Sequence, residues 1–239
     1  MYASDTSSLP LPGQHARLVI RRLPMRRAVD WLAAGWAGFR RAPAPLAVAS
    51  IALLIVAVLA ARAASWLPIL LLPLYFGTVA AYARMADRGQ VFLAGSGAWR
   101  SGRLWGLGIG IVLMGALLNG LLAAGLMGAL KLVPHVPMPV FGAVLALHYL
   151  VKLLGLLVLA GCWLAPALVV NREAGVLQAL RLSLVGSFRN AGAFLGVVLV
   201  AVPLLWLAAL PLGLGLVMAL PVLAGAAVRA ADDIVGETH

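Results

Sequence analysis

Acidic residues are scarce in this chain. There are seven in 239 (Asp5, Asp30, Asp87, Glu173, Asp232, Asp233 and Glu237), and none falls inside an apolar run. Ion- and proton-coupled carriers commonly hold a carboxylate within the membrane, so its absence counts against that mechanism. Charge of any sign is thin, at 10% of residues against 64% hydrophobic, and mean hydropathy is +1.05. A water-soluble domain of this size needs more polar surface than that. Cysteine is limited to Cys162, which excludes a disulfide within the chain and a cysteine metal cluster. In its apolar run it reads as a small packing residue. No P-loop and no zinc-type His pair on a helix is present. Gly95-Ser96-Gly97 lacks the spacing of a nucleophile elbow. No nucleophile–base pair is visible, so no enzyme is expected, and no catalytic, cofactor or metal residue is assigned.

The chain does hold apolar runs of about 20 residues between polar clusters, the mark of transmembrane helices. Peptide groups in hydrocarbon must bond internally, which leaves helices or a closed barrel. The runs do not alternate, so helices are expected. The fold class is therefore all-α and polytopic. Six spans are placed at about 42–61, 66–83, 104–126, 151–170, 191–210 and 212–228. The last two are divided at Pro211, Gly213 and Gly215, because residues 191–228 would make about 57 Å of helix against a core of roughly 30 Å. The same reasoning starts the fourth span near Val151 and leaves 141–151 either membrane-embedded or interfacial. The first 41 residues form a separate basic arm, polar up to residue 16 and then an interfacial helix, and 42–239 the membrane domain. The first run is expected to stay as an uncleaved span, since the arm before it is long for a secretory n-region.

The formal charge is +11, which invites a nucleic-acid reading. Its distribution argues otherwise. Fifteen of the 18 basic residues lie in the arm, the second and fourth inter-span segments and the C-terminal tail. That is the positive-inside pattern of a bacterial-type inner membrane, with both termini cytoplasmic. No nucleic-acid partner is expected. Trp31, Trp36 and Phe39 are interleaved with the arm's arginines, a composition suited to anionic headgroups on the inner leaflet.

Within the spans, Asn119 can hydrogen-bond a neighbouring helix or line a path for a solute. His148 and Lys152 are four apart and share a helix face. They would form an outward-facing anion or proton site, or an interfacial His beside a Lys that snorkels to water. Small residues at four-residue spacing in the third span, Gly106, Gly110, Gly120, Ala124 and Gly128, suit close helix approach. After the inner turn Asn171–Glu173, residues Val176, Leu177, Leu180, Leu184 and Phe188 mark the apolar face of a short amphipathic helix.

Three segments align without gaps: GWAGFRRAPAPLA from Gly35, GSGAWRSGRLWGL from Gly95 and LVGSFRNAGAFLG from Leu184. Each places an aromatic–arginine pair before an outgoing span: Phe39-Arg40, Trp99-Arg100 and Phe188-Arg189. Returning spans share Pro-x-x-x-Gly (Pro73/Gly77, Pro221/Gly225) and, just inside, Arg-x-x-Asp (Arg84/Asp87, Arg229/Asp232). The expected unit is an interfacial helix, an anchor and a hairpin, used three times. Repeated placement puts the three arginines at one depth, a candidate lipid-headgroup collar.

The order GWAGFRRAP, ARMADRG, WLAPALVV, ALRLSL, FRN and LPLGLGLVMALPVLAGAAVRAADDI, over about Trp31–Ile234, resembles a family of uncharacterised bacterial inner-membrane proteins labelled only "transmembrane protein". That family is distantly similar to the membrane domain fused to some glycerophosphodiester phosphodiesterases. The resemblance implies a six-helix fold and an inner-membrane location, and implies no reaction. Two functions are expected from the sequence: a non-enzymatic scaffold or accessory protein binding lipid or a membrane-protein partner, and a permease for a small or lipid-like solute. A polar cavity among the helices would favour the permease.

Overall fold

The computed structural model describes residues 17–63, 67–87, 101–132 and 138–238. The chain runs β1 (Arg17–Ile20), α1 (Arg27–Arg41), α2 (Pro43–Ala63), α3 (Leu67–Asp87), α4 (Gly102–Leu132) and α5 (Met138–Gly161). A 3-10 turn (Cys162–Leu164), α6 (Ala165–Asn171), α7 (Val176–Arg189), α8 (Ala191–Ala209), α9 (Leu216–Ile234) and β2 (Val235–Thr238) follow. The architecture is all-α apart from the two short strands. Four stretches of helix are long and apolar enough to cross a membrane: Pro43–Ala63, Gly102–Gly125, Met138–Asn171 and Ala191–Ala209. Ile69–Ala83 is a shorter apolar helix. The chain is accordingly a membrane protein.

Helix α9 is the axis of the packing. Ala219, Ala224, Ala226, Ala227, Ala230 and Ala231 are all buried along it, and small side chains let neighbours approach its backbone. Helix α1 lies along it with Ala28, Trp31, Gly35 and Phe39 turned inward, a spacing of three and four that keeps one face on the partner. At Gly35 any Cβ would strike the Val222 carbonyl and the Ala226 amide, so the two backbones are in contact. Helix α1 stops at Arg41 because Ala42 precedes Pro43, and a residue before proline is pushed out of the helical region. Its φ is −141°. Pro43 then opens α2, where the missing N–H costs nothing.

Buried polar groups on α2 and α3 are satisfied locally. Ser50 donates to the Leu46 carbonyl at 2.8 Å, so its 2.6 Å contact with Tyr75 must be the phenol donating to Ser50. Thr78 donates to the Leu74 carbonyl. Helix α4 meets α3 at two points, Leu104 against Gly77 and Gly108 against the Leu70 carbonyl. Leu70 is three residues from the start of α3, so α4 runs on past that end for about 20 residues, about 30 Å. There it pairs with α5, Gly155 against Leu118 and Gly115 against Leu159.

Several sequence expectations are corrected. The fourth span does not begin near Val151; its helix starts at Met138 and includes 141–151. The interruption lies lower, at Cys162–Leu164, because Pro166 cannot donate to the Cys162 carbonyl and its ring crowds that turn. The segment 17–41 is not all interfacial helix. Its first four residues pair antiparallel with the tail, Arg17 with Thr238 through Ile20 with Val235. The last helix continues to Ile234 and takes in Arg229 and Asp232. The glycines expected to carry contacts in α4 are not the ones that do. An added Cβ at Gly110, Gly120 or Gly128 would meet nothing within 4 Å, whereas at Gly108 it would lie 2.7 Å from the Leu70 carbonyl.

Candidate functional site

Two constellations stand out, one polar and one apolar. The polar one begins at the 3-10 turn, which frees the Gly161 carbonyl and the Leu164 N–H. Helix α7 supplies both partners from one face. Ser183 donates to the Gly161 carbonyl at 2.7 Å and accepts from the Leu164 N–H at 3.1 Å. Ser187 donates to the same carbonyl at 3.1 Å and accepts from the Trp163 indole at 3.2 Å. The buried face of α7 is therefore Ala179, Ser183, Gly186 and Ser187. The leucine face expected to cap the bundle is left outside in part: Leu177 is 80% and Phe188 51% exposed. The polar face wins because the broken helix above it needs donors and an acceptor.

One residue further on, Asn190 clamps the N-terminal arm. Its Oδ1 accepts from the Leu23 N–H at 2.6 Å, and its Nδ2 donates to the carbonyls of Arg21 and Gly186, both at 2.9 Å. The amide thus does for Arg21–Leu23 what a neighbouring strand would do. The Arg21 N–H donates to the Ile234 carbonyl at 2.8 Å, continuing the strand pairing. Beside it the fully buried Trp31 donates its indole N–H to Asp233 at 2.9 Å. Asp233 is also near Arg27 and Arg229. Arg172 donates to the Val235 carbonyl at 3.2 Å, and Arg103 to the Glu173 carbonyl at 2.7 Å. Burial pushes the Asp232 carboxyl above the usual range. Arg172, Arg229 and a hydrogen bond with Asn171 oppose the shift, and Asp233 adds to it.

The apolar constellation is a cleft of about 930 Å³ between α3, α4 and the α5–α6 break. Pro73 and Phe76, Val112 and Gly115, Trp163 and Pro166 are representative of its wall. Asn119 is the one amide in that wall, and its Nδ2 donates to the Gly115 carbonyl at 2.9 Å. The Cys162 thiol is turned to the Val158 carbonyl. The volume falls within the about 300–1,000 Å³ of small-molecule sites.

The sequence candidates scatter relative to these features. Phe39 is buried beside Trp36 at 5.9 Å between ring centres, while Phe188 points away from the protein. Arg40 and Arg189 are both exposed. They lie at opposite ends of their neighbourhood. Helix α1 starts beside the start of α8, Met25 near Gly192 and Ala28 near Gly196, and Arg40 is twelve residues, about 18 Å, further along α1. Trp99 and Arg100 lie outside the described residues. The described pairs therefore do not converge on one headgroup. Asn119 reaches the cleft. His148 is half-buried with its ring edge-on to Tyr149, and Lys152 is exposed. The residue that sequence reasoning missed is Asn190. Its signal was its place, the first non-helical position after α7, where an Asn side chain readily serves a neighbouring backbone.

Comparison with protein-family models, with curated proteins and with solved structures gave no match.

Proposed function

We propose that the chain is a six-span inner-membrane protein that acts as a non-enzymatic, lipid- or partner-binding scaffold. The cleft carries this reading. Its wall is apolar, and two of the helices that form it, α4 and the α5–α6 run, belong to the four able to cross a membrane. The fluid at its mouth is then lipid hydrocarbon. A solute path would be polar; this one offers a single amide.

Six crossings draw support from parity. Antiparallel pairing of β1 with β2 holds the two ends of the described chain together, and ends on one side require an even number of crossings. Helices α3 and α9 supply the returns that α2 and α8 require. They fall short of the four in length of apolar run because they are wrapped by protein and face little lipid. The basic excess on the side of the ends supports the cytoplasmic assignment, with exposed Arg22, Arg26 and Arg189 available to anionic headgroups at about 1 kcal/mol each. The three-hairpin repeat is part of the same proposal. It draws support from Gly77 and Gly225, the repeat glycines, each of which receives a neighbour closely, Leu104 and Gly35.

Two measurements test the proposal. Cysteine placed at exposed Glu173 should label only after permeabilisation, and at exposed Met138 from outside; the reverse would sink the topology. Lipid and protein retained after mild detergent extraction should be selective by mass spectrometry. A lipid profile identical to the bulk membrane, with no partner, would sink the scaffold. A permease for a lipid-like solute is the second reading. Pro73 and Pro166 in the cleft wall favour it, since each leaves a helix turn open to movement. Solute flux across reconstituted vesicles separates it from the scaffold.

A further inference from the structure

The cleft has a polar end, and the geometry points to what fills it. On α5, Leu156 and Leu159 line the cleft. Lys152 lies four residues before Leu156 and seven before Leu159, so it stands on the same helix face, one turn beyond the lining. On α4, Gly115 and Asn119 stand in the same relation to each other. The two helices are antiparallel neighbours, with Gly155 packed against Leu118. Asn119 and Lys152 therefore belong to the same end of the cleft, while Trp163 and Pro166 belong to the other. Helix α3 does not wall that polar end, because it begins at Leu67 and its lining residues start at Ile69.

Depth agrees with this placement. Arg103, held to the turn after α6, is sixteen residues from Asn119, about 24 Å along α4. In a hydrocarbon core of roughly 30 Å, Asn119 lies close to the boundary away from the chain's ends, and Lys152 closer still. Asn119 spends one N–H on the Gly115 carbonyl. Among the described residues its second N–H has no partner, and no carboxylate pairs with Lys152. An apolar trough capped by an amide donor and an ammonium is complementary to an amphiphile with an anionic head.

Resting on the lipid-binding reading, we infer that the cleft seats one acyl chain of a phospholipid from the leaflet away from the chain's ends. The tail runs down toward Trp163 and Pro166. A glycerol ester carbonyl accepts from Asn119, and the phosphate lies on Lys152. His148, a further turn along the same face, adjoins the headgroup.

The test uses the full chain in nanodiscs containing a trace of phosphatidylglycerol with a diazirine at the end of one acyl chain. Photolysis should concentrate label on the peptides holding Pro73–Phe76 and Cys162–Pro166, above the level on exposed Leu199 and Trp206 of α8. Gly115→Phe, at a position where only Leu159 is near, should bring the cleft label down to the α8 level. Lys152→Gln, an exposed change that leaves packing alone, should lower cleft label about fivefold, from the loss of about one surface charge interaction. Lys131→Gln should not change it. Cleft label equal to that on α8, no response to Lys152→Gln, displacement by free fatty acid at equal concentration, or protection by a cross-linked second copy would each overturn the site. If the wild type still retains selective lipid in any of those cases, the scaffold reading stands and only this site fails. Loss of both removes both.

Discussion

Gly35 and Gly225 sit face to face where α1 crosses α9, and a Cβ on Gly225 would lie 3.0 Å from the Gly35 Cα. Neither backbone can retreat, since Gly35 also rests on the Val222 carbonyl. Gly35→Leu should separate the helices and unseat Trp31 with them. A loss of about 3–5 kcal/mol, the range for emptying a large aromatic site, is expected in detergent unfolding. Gly38→Ala, in open space on the same helix, should be neutral or slightly stabilising by helix propensity. Equal melting of the Gly35 and Gly38 variants would show that the crossing carries no stability.

Asn190→Ala should release the arm without unfolding the bundle. Three hydrogen bonds disappear, two of them to Arg21–Leu23. At about 1 kcal/mol net each, the arm becomes several-fold more open. Hydrogen exchange at the Leu23 amide and protease cleavage near Arg22 should both speed up, and the α8 amides should hold their protection.

Ser183→Ala removes the group that serves both ends of the break in the fourth long helix. The Leu164 N–H is then buried without its acceptor, while Ser187 still donates to Gly161. A loss of about 1–3 kcal/mol follows, larger than for Ser187→Ala, whose carbonyl partner keeps Ser183. Thermal unfolding of the two variants side by side checks the order.

Asp232 gives the fold a pH dependence of definite sign. Its carboxyl is raised in the folded chain, so the folded state holds its proton to higher pH than the unfolded chain, whose value is about 3.9. Stability from this group is greatest below that value and declines as pH rises toward the folded one. Asp232→Asn should flatten that decline. Melting of both proteins from mildly acidic pH upward should show wild type losing ground relative to the variant. A wild type that gains ground would contradict the burial of the carboxyl.

The long apolar helices were legible because composition alone dictates them. Proline at 43 and the Leu212–Gly213 bend, with φ of 53° and 78°, marked their ends locally. The strand pair was not legible. Four residues of arm carry no periodicity, and their partner is at the far end of the chain. The cleft was half legible. Asn119, His148 and Lys152 were singled out as polar residues in an apolar setting, but their relation to one trough depends on the register of α4 against α5. Helix α7 misled for a specific reason. A hydrophobic stripe faces the protein when the protein offers apolar surface, and here it offers the open ends of a broken helix.

The order of synthesis gives the strand pair another meaning. Trp31 finds its acceptor 202 residues downstream, and Arg17 waits for Thr238. Through the insertion of every intervening helix the arm has no seat, because α9 and the tail do not yet exist. Helix α1 docks last although it is made first, so a chain arrested before α9 would reach the membrane fully threaded with its amino-terminal segment still at large.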